Sequence, residues 1–587
     1  MEEKTLEKRG SYPVQSPDFT PHVQPPEKIE AAMPDRLPRT IRAVRDNATE
    51  GLVKEHPRTL VICLDGTGDQ FDEDNSNIVY FVSCLMKHTP ERQVTYYQSG
   101  IGTYGKGGLR NGIGAAADMA VGSGLGVHIC DAYQFLMENY RAGDKICLFG
   151  FSRGAYTVRC LAGMLHKVGL LPASNKSQVN FAYEFYKDDS DAGWGMSWDF
   201  KRTFCTDVNV YFVGVFDCVA SVGFIPRKLP FSKSPTNSVH YFRHAMALDE
   251  HRAKFKVCQW SHQDPDLTEE ELRRRIAAGA SDGSKKDKVK KAGIFKAFRK
   301  EKDPDHANKN PTEETKATTN GEHSNGINGA DKTNGFALKR RQTKADMQES
   351  FEAKFDKQDA AYRKNLKVET DALEVWFMGA HADIGGGSCK NGTRHMLSRI
   401  PLRWMIRQCF ECDTGILFNT IHLAQQGIDV NTLYPVYQQP TKPLVGPPPA
   451  LLEKYKKGSL APLWRRATFL PIGRKEDRIK DAPTAEDLQY ILPSESTENH
   501  FDAEATCNDQ LKIAHGWWVL EFWPIKVRIL AQDGETWVKK VRWNLGRYRP
   551  IRESEPNVHW TVNHMIAEGK YKIRCRGDKN VVWNEVA

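Results

Sequence analysis

KICLFGFSRGAYTVRCLAGML, residues Lys145–Leu165, is the stretch on which the fold turns. It opens with an apolar run, Ile146-Cys147-Leu148-Phe149, and passes through Gly150-Phe151-Ser152-Arg153-Gly154. Apolar residues then recur at helical spacing: Tyr156, Val158, Cys160, Leu161, Met164 and Leu165. Strand, sharp G-x-S-x-G turn and helix, in that order, are the context of a nucleophile elbow. The turn strains the serine backbone, and Gly150 and Gly154 remove the Cβ atoms that would clash. The serine oxygen then stands at the carboxyl end of a strand and the amino end of a helix. There the dipole and the open N–H groups favour developing negative charge. The bland alternative is a surface serine in an ordinary strand–helix turn, which the long helix and the apolar strand disfavour.

Other apolar runs have the same character. Arg58–Leu64 is continuous rather than alternating, as in a strand buried on both faces of a parallel sheet, and it ends in Asp65-Gly66-Thr67-Gly68-Asp69. Gln93–Tyr97 and Asp207–Phe216 read as further strands, the latter ending at Asp217. Leu373–Gly379 is another and ends in Ala380-His381-Ala382-Asp383. Helices are predicted at Ile78–Lys87, Val127–Tyr140, Phe181–Tyr186, His244–Arg252, Leu267–Ala278 and Leu397–Gln408. This alternation predicts an α/β fold, alpha/beta-hydrolase-like, with a mostly parallel central sheet flanked by helices. A disordered insert and a C-terminal helical or irregular extension complete the expectation.

At 587 residues the chain exceeds a single core. Residues 1–57 are poor in aliphatics and are expected to be a disordered tail. A catalytic domain is expected over 58–438, interrupted by a polar disordered insert at about 264–370. A Pro-rich linker and an extension packing on the core occupy 439–587. The net charge of +9 comes largely from the insert, so nucleic acid is not an expected partner. Within the insert, the basic run 285–300 reads as a solvated linker, with contact to an anionic membrane or a partner as its functional alternative and a nuclear-localisation or nucleic-acid role behind that. Thirteen scattered cysteines, several in predicted strands and helices, fit a reducing compartment better than a disulfide framework. There is no apolar signal-peptide core and no run of about eighteen apolar residues. The expected location is therefore cytoplasmic or peripheral to a membrane.

Cofactor and metal signals are weak. Gly100-Ile101-Gly102-Thr103-Tyr104-Gly105 has the form of a dinucleotide motif, but Lys106-Gly107-Gly108 continues the loop instead of opening a helix. Cys409 and Cys412 form a lone C-x-x-C, with only Cys389 and His395 loosely nearby, so no zinc is expected. Asp65, Asp69, Asp72 and Asp74 read as turn chemistry rather than a calcium site. No cofactor and no metal are expected.

A serine nucleophile needs a base within hydrogen-bond reach and an acid to orient that base. Elbow hydrolases place these in the chain order serine, acid, histidine, each at the end of a strand. The strand ends after Ser152 supply Asp217 and then His381. Asp249 and Asp383 compete for the acid's role: Asp249 lies in the predicted helix, and Asp383 is better placed to hold the His381 loop. The oxyanion donors are expected to be the backbone N–H of Arg153 and that of Gly66 or Thr67. Asp65 is expected to fix its loop by hydrogen bonds or to contact Arg153.

LVICLDGTGD, YYQSGIGT, GFSRGAYTVRCLAGML, FVGVFDCVAS, HAMALDEHR and FMGAHADIGGG follow one another in this order. Together they resemble the uncharacterised alpha/beta hydrolase family, or type VI secretion phospholipase effector-like catalytic domain, and in particular its fungal members. The resemblance covers about 58–420. It implies an alpha/beta-hydrolase fold and a triad that falls on Ser152, Asp217 and His381. Bacterial members cut ester bonds of membrane lipids, so it also implies a lipid substrate. The resulting expectation is a serine hydrolase of a carboxylic ester, first of all a lipid. The alternatives are a non-catalytic lipid- or protein-binding member of the fold, or a hydrolase of a soluble ester or thioester. An exposed apolar rim around Ser152 would favour lipid, and a narrow polar cleft a small ester. Oligomeric state is left open.

Overall fold

The computed structural model describes residues 37–48, 56–101, 124–220, 229–232, 238–260, 344–362, 368–440, 494–530, 537–577 and 581–587. Its strands in chain order are β1 (Thr40–Arg42), β2 (Thr59–Leu64), β3 (Gln93–Gln98), β4 (Lys145–Phe151), β5 (Val210–Phe216) and β6 (Val239–Ala247). They continue with β7 (Asp371–Phe377), β8 (Leu417–Asn419), β9 (Ile525–Leu530), β10 (Trp537–Arg542), β11 (Asn557–His559) and β12 (Asn584–Val586). Eight of them form one sheet in the order β12-β11-β7-β6-β5-β4-β2-β3. Every pairing in it is parallel.

Continuous apolar strands fit this sheet because both of its faces are covered. Alternate residues serve opposite layers. Val61, Cys63, Cys147, Phe149, Phe212 and Phe216 share one core with helices Asn77–Cys84 and Arg399–Glu411. Leu60, Ile62, Ile146, Leu148, Val213 and Val215 share the other with helices Leu125–Asn139 and Ser152–Val168. Each large side chain so buried contributes about 1.5–3 kcal/mol. The topology also locates a crevice. The chain leaves β2 for β3 on one flank, then crosses to β4 on the other. In open α/β sheets, ligands bind outside the strands' carboxyl ends where the winding direction reverses in this way. Here that point lies between the ends of β2 and β4.

Several expectations are overturned. His244–Arg252, predicted as a helix, instead begins inside β6, which pairs with both β5 and β7. Ala245, Met246 and Ala247 are consecutive and all buried, which a strand covered on both faces requires and a one-sided helix does not. Asp249 consequently sits in the turn after a central strand. The tail expected to be disordered through 57 contributes β1, antiparallel to β8, with Ile41 buried. Helix Lys344–Tyr362 lies inside the expected insert. It buries Phe355 against Trp194 and Phe231, and its Asp359 Oδ1 accepts from Lys201 Nζ at 2.8 Å. The C-terminal extension adds β11 and β12 to the main sheet. The Leu267–Ala278 helix, the glycine-rich loop beyond Ile101, the basic run 285–300 and most of the Pro-rich connection lie outside the described residues. No helix among the described residues is long and apolar enough to cross a membrane.

Candidate active site

The end of β4 is tightly packed. Ser152 opens helix Ser152–Val168 with φ +57°, a conformation that costs a non-glycine residue about 1–3 kcal/mol. A Cβ on Gly150 would lie 2.7 Å from Ala155 Cα, and one on Gly154 would lie 2.4 Å from the carbonyl oxygens of Leu64 and Asp65. The two glycines thus let the helix start press onto its own strand and onto the end of β2, which holds the strained serine in place. Asp217, just past β5, is also left-handed, at φ +39°.

His381 opens a short helix, His381–Gly385, just past β7. Its Nε2 lies 2.8 Å from Ser152 Oγ and its Nδ1 lies 2.5 Å from Asp217 Oδ2. An ionised carboxylate only accepts, so Nδ1–H donates to Asp217 and Nε2 is left to accept from the Ser152 hydroxyl. Asp217 Oδ1 accepts from the Ala247 N–H at 2.9 Å and from Arg549 Nη1 at 2.6 Å. Its Oδ2 also accepts from Arg549 Nη2 at 2.9 Å. Burial alone would raise the Asp217 carboxyl, but Arg549 and His381 overcome it and hold it well below the usual carboxylate range. Burial pushes the His381 imidazole below its ordinary value, against the opposing pull of Asp217. The ring is flanked by Phe151 at 4.8 Å and, edge-on, by Phe255 at 4.8 Å.

The remaining predicted residues hold loops. Asp65 Oδ1 accepts from the Gly66 N–H at 2.8 Å, and Oδ2 from the Tyr97 hydroxyl at 2.8 Å. Gly66 N–H is thereby committed, which leaves Thr67 as the stronger loop candidate for an oxyanion donor. Arg153 is buried, which lowers its guanidinium to about 10 against the opposing charge of Asp69. Asp249 Oδ2 accepts from the Gly379 N–H at 2.8 Å and from Tyr571 Oη at 2.9 Å. Asp383 Oδ2 accepts from Ala380 N–H at 2.8 Å and Asn508 N–H at 2.9 Å, and Oδ1 accepts from Asn508 Nδ2 at 2.7 Å. These two acids brace the turn that presents His381 and do not bond its ring. Cys409 and Cys412 are free, buried thiols. His395 Nδ1 bonds Asp502 Oδ1 at 3.0 Å.

Three neighbours were missed in the sequence. Glu250 is buried, accepts three hydrogen bonds from Arg252 (Oε1 from the backbone N–H at 2.8 Å and from Nε at 3.0 Å, Oε2 from Nη2 at 2.8 Å) and accepts from the His381 N–H at 3.2 Å. Arg549 had no signal beyond the arginine richness of its segment, since Arg547 and Arg552 look alike in sequence. Trp517 meets Phe255 edge-on at 5.4 Å, and the Arg252 guanidinium lies 3.5 Å over the Phe255 ring. Downstream of Trp517 several large apolar side chains are exposed, Val519 at 74%, Phe522 at 58%, Trp523 at 52% and Trp543 at 56%, with the Phe522 and Trp543 rings 6.4 Å apart. A separate cavity of about 350 Å³, lined by Phe181, Met196, Phe204 and their neighbours, contains none of these site residues.

The profile of the family described as "T6SS, Phospholipase effector Tle1-like, catalytic domain" matches residues 58–408. The uncharacterised protein YEL023C of Saccharomyces cerevisiae is 27% identical over 577 residues, which covers 89% of this chain and 80% of that protein. Among solved structures, an uncharacterised protein from Pseudomonas aeruginosa matches with TM-score 0.30 and 13% identity, over 61% of this chain and 46% of the other. The Tle1 effector bound to the VgrG spike of the type 6 secretion system matches with TM-score 0.21 and 18% identity, over 34% of this chain and 47% of the other. The matches thus span less than half the length of either solved chain.

Proposed function

The chain belongs to the family of T6SS phospholipase effector Tle1-like catalytic domains, and on that premise we propose that it is a serine hydrolase of lipid carboxylic esters. The observation that carries this reading is the relay Ser152–His381–Asp217, with contacts of 2.8 and 2.5 Å, at the sheet's switch point. His381 Nε2 takes the Ser152 proton as Oγ bonds to the ester carbonyl carbon. The negative oxygen that forms is met by the N–H groups of Arg153, at the start of the helix, and of Thr67, in the loop after β2. As the intermediate collapses, His381 returns the proton to the departing alkoxide and leaves an acyl group on Ser152. Water then attacks the acyl carbon and gives its proton to His381, which passes it to Ser152 Oγ as the acid leaves.

The lipid assignment draws support from the rim. Phe255 joins the His381 ring to Trp517, and the segments after Trp517 expose Val519, Phe522, Trp523 and Trp543. Lys512, Lys526 and Arg542 are exposed in the same segments. Exposed aromatics interleaved with cations suit the headgroup region of an anionic bilayer. The test is fluorophosphonate labelling together with release of fatty acid from phosphatidylglycerol-containing vesicles. Wild type should do both. Ser152→Ala should lose labelling and lower release by about 10⁴-fold or more without loss of thermal stability. Labelling that persists in Ser152→Ala would end the serine-hydrolase reading, and turnover confined to short soluble esters would end the lipid one.

A further inference from the structure

We propose that Arg549 is a positioning residue of this site, clamping both oxygens of Asp217 and thereby setting how firmly His381 can hold a proton. The inference rests on the serine-hydrolase reading and adds to it a residue from outside the family-matched segment 58–408.

In a relay of this kind the acid orients the imidazole and stabilises the imidazolium. A single backbone N–H would suffice for orientation, and Ala247 already supplies one at 2.9 Å. Arg549 does more. Its two terminal nitrogens reach separate oxygens of Asp217 at 2.6 and 2.9 Å. Both partners are buried, with Asp217 at 0% and Arg549 at 5% exposure. A guanidinium does not lose its proton at any working pH, so the clamp is permanent. The same side chain donates from Nε and Nη2 to the Phe255 carbonyl at 2.9 and 2.6 Å, which fixes the residue whose ring walls His381.

The charges around His381 come close to balance. Asp217 faces it from the end of β5, and Glu250 from the turn after β6. Arg549 neutralises the first and Arg252 the second. Ser152 is uncharged, and Asp383 on the histidine's own helix turns to Ala380 and Asn508. Removing the Arg549 charge leaves the cluster with net negative charge, which favours imidazolium. The reactive form is neutral imidazole, so the acidic limb of the rate profile should then move to higher pH, by about one unit for a charge at this range.

The experiment follows Ser152 labelling by a fluorophosphonate as a function of pH in the full chain, for wild type, Arg549→Met and Arg549→Lys, with melting curves for each. Arg549→Met should move the acidic limb up by about one unit. Arg549→Lys keeps the charge and loses the fork. It should leave the limb in place, lower the maximal labelling rate about tenfold and leave probe affinity unchanged. A folded Arg549→Met that loses rate equally at every pH overturns the proposal, as does wild-type behaviour in either variant. If Arg549→Met does not fold, Arg549→Lys decides: the tenfold loss at constant affinity supports the proposal, and a loss of affinity at constant maximal rate overturns it. Wild type without Ser152-dependent labelling overturns the underlying reading instead, and so separates the two failures.

Discussion

Two buried charge clusters join the sheet-bearing core to the C-terminal segment, and they differ in what one member faces. In the first, Arg549 reaches back to Asp217. In the second, helix Arg399–Glu411 meets helix Glu495–Ala503. There Arg407 bonds Glu495 through Nε–Oε1 at 2.7 Å and Nη2–Oε2 at 2.5 Å. Arg403 Nη2 donates to Asp502 Oδ2 at 2.5 Å and to Asn499 Oδ1 at 2.7 Å. Burial works against the charged form of Asp217, Glu495 and Asp502 alike, and facing arginines hold all three below the usual range. The second cluster fastens one helix to another. In the first, an imidazole bonded to the carboxylate turns its other nitrogen to a strained serine. A buried ion pair is weak evidence of function in itself, because its desolvation cost offsets much of its attraction. What separates the clusters is His381 Nε2 lying 2.8 Å from Ser152 Oγ.

The sharpest way to break this comparison is to replace the acid in each cluster. Asp217→Asn should lower labelling per folded molecule by about 10⁴-fold, because the amide donates a proton where Nδ1–H must donate. Asp502→Asn should leave that rate unchanged, and a comparable loss in it would erase the distinction. Next in size is Arg403→Met. It removes one of the two arginines facing Asp502, leaves Arg399 at 3.9 Å and His395 at 3.0 Å, and should destabilise the chain by about 1–3 kcal/mol in denaturant melts while the folded fraction keeps the wild-type pH profile. Acid should weaken both clusters together. Carboxylates whose folded pKa is depressed add stability that is fully present above their unfolded values, near pH 4, and is lost as pH falls toward the folded values. Melting temperature should therefore fall steeply below about pH 4, and the Asp217→Asn and Asp502→Asn variants should each show a shallower fall. The smallest effect concerns the rim. Val519→Asp with Phe522→Ser should cut hydrolysis of anionic vesicles several-fold, leave a short soluble ester unaffected and change stability by about 0.5 kcal/mol or less. Equal losses on both substrates would detach the rim from lipid binding.

The sequence carried β4 and its helix clearly, because an apolar run, a G-x-S-x-G and a helical period are all local. It carried the ends of β5 and β7 for the same reason. It misread His244–Arg252, since buried apolar residues in a strand covered on both faces mimic one turn of a helix. It also undervalued polar stretches. Thr40–Arg42 and Lys344–Tyr362 are short on aliphatics, yet each finds a partner already built by the core. Arg549 could not be singled out at all: nothing in Arg547-Tyr548-Arg549 marks which guanidinium turns inward.

Local pattern alone determined that Ser152 stands on a strained turn and that Asp217 and His381 stand at strand ends. Backbone sterics and hydrophobic period act over a few residues and can be read there. Only the tertiary structure decided that these ends adjoin. Strand order brings β4, β5, β6 and β7 side by side, and so brings Ser152 to a histidine 229 positions away. It decided too that the acid's counter-charge comes from Arg549, 332 positions beyond Asp217. Burial of a charge selects its partner by geometry across the whole fold, and no short-range pattern encodes that choice.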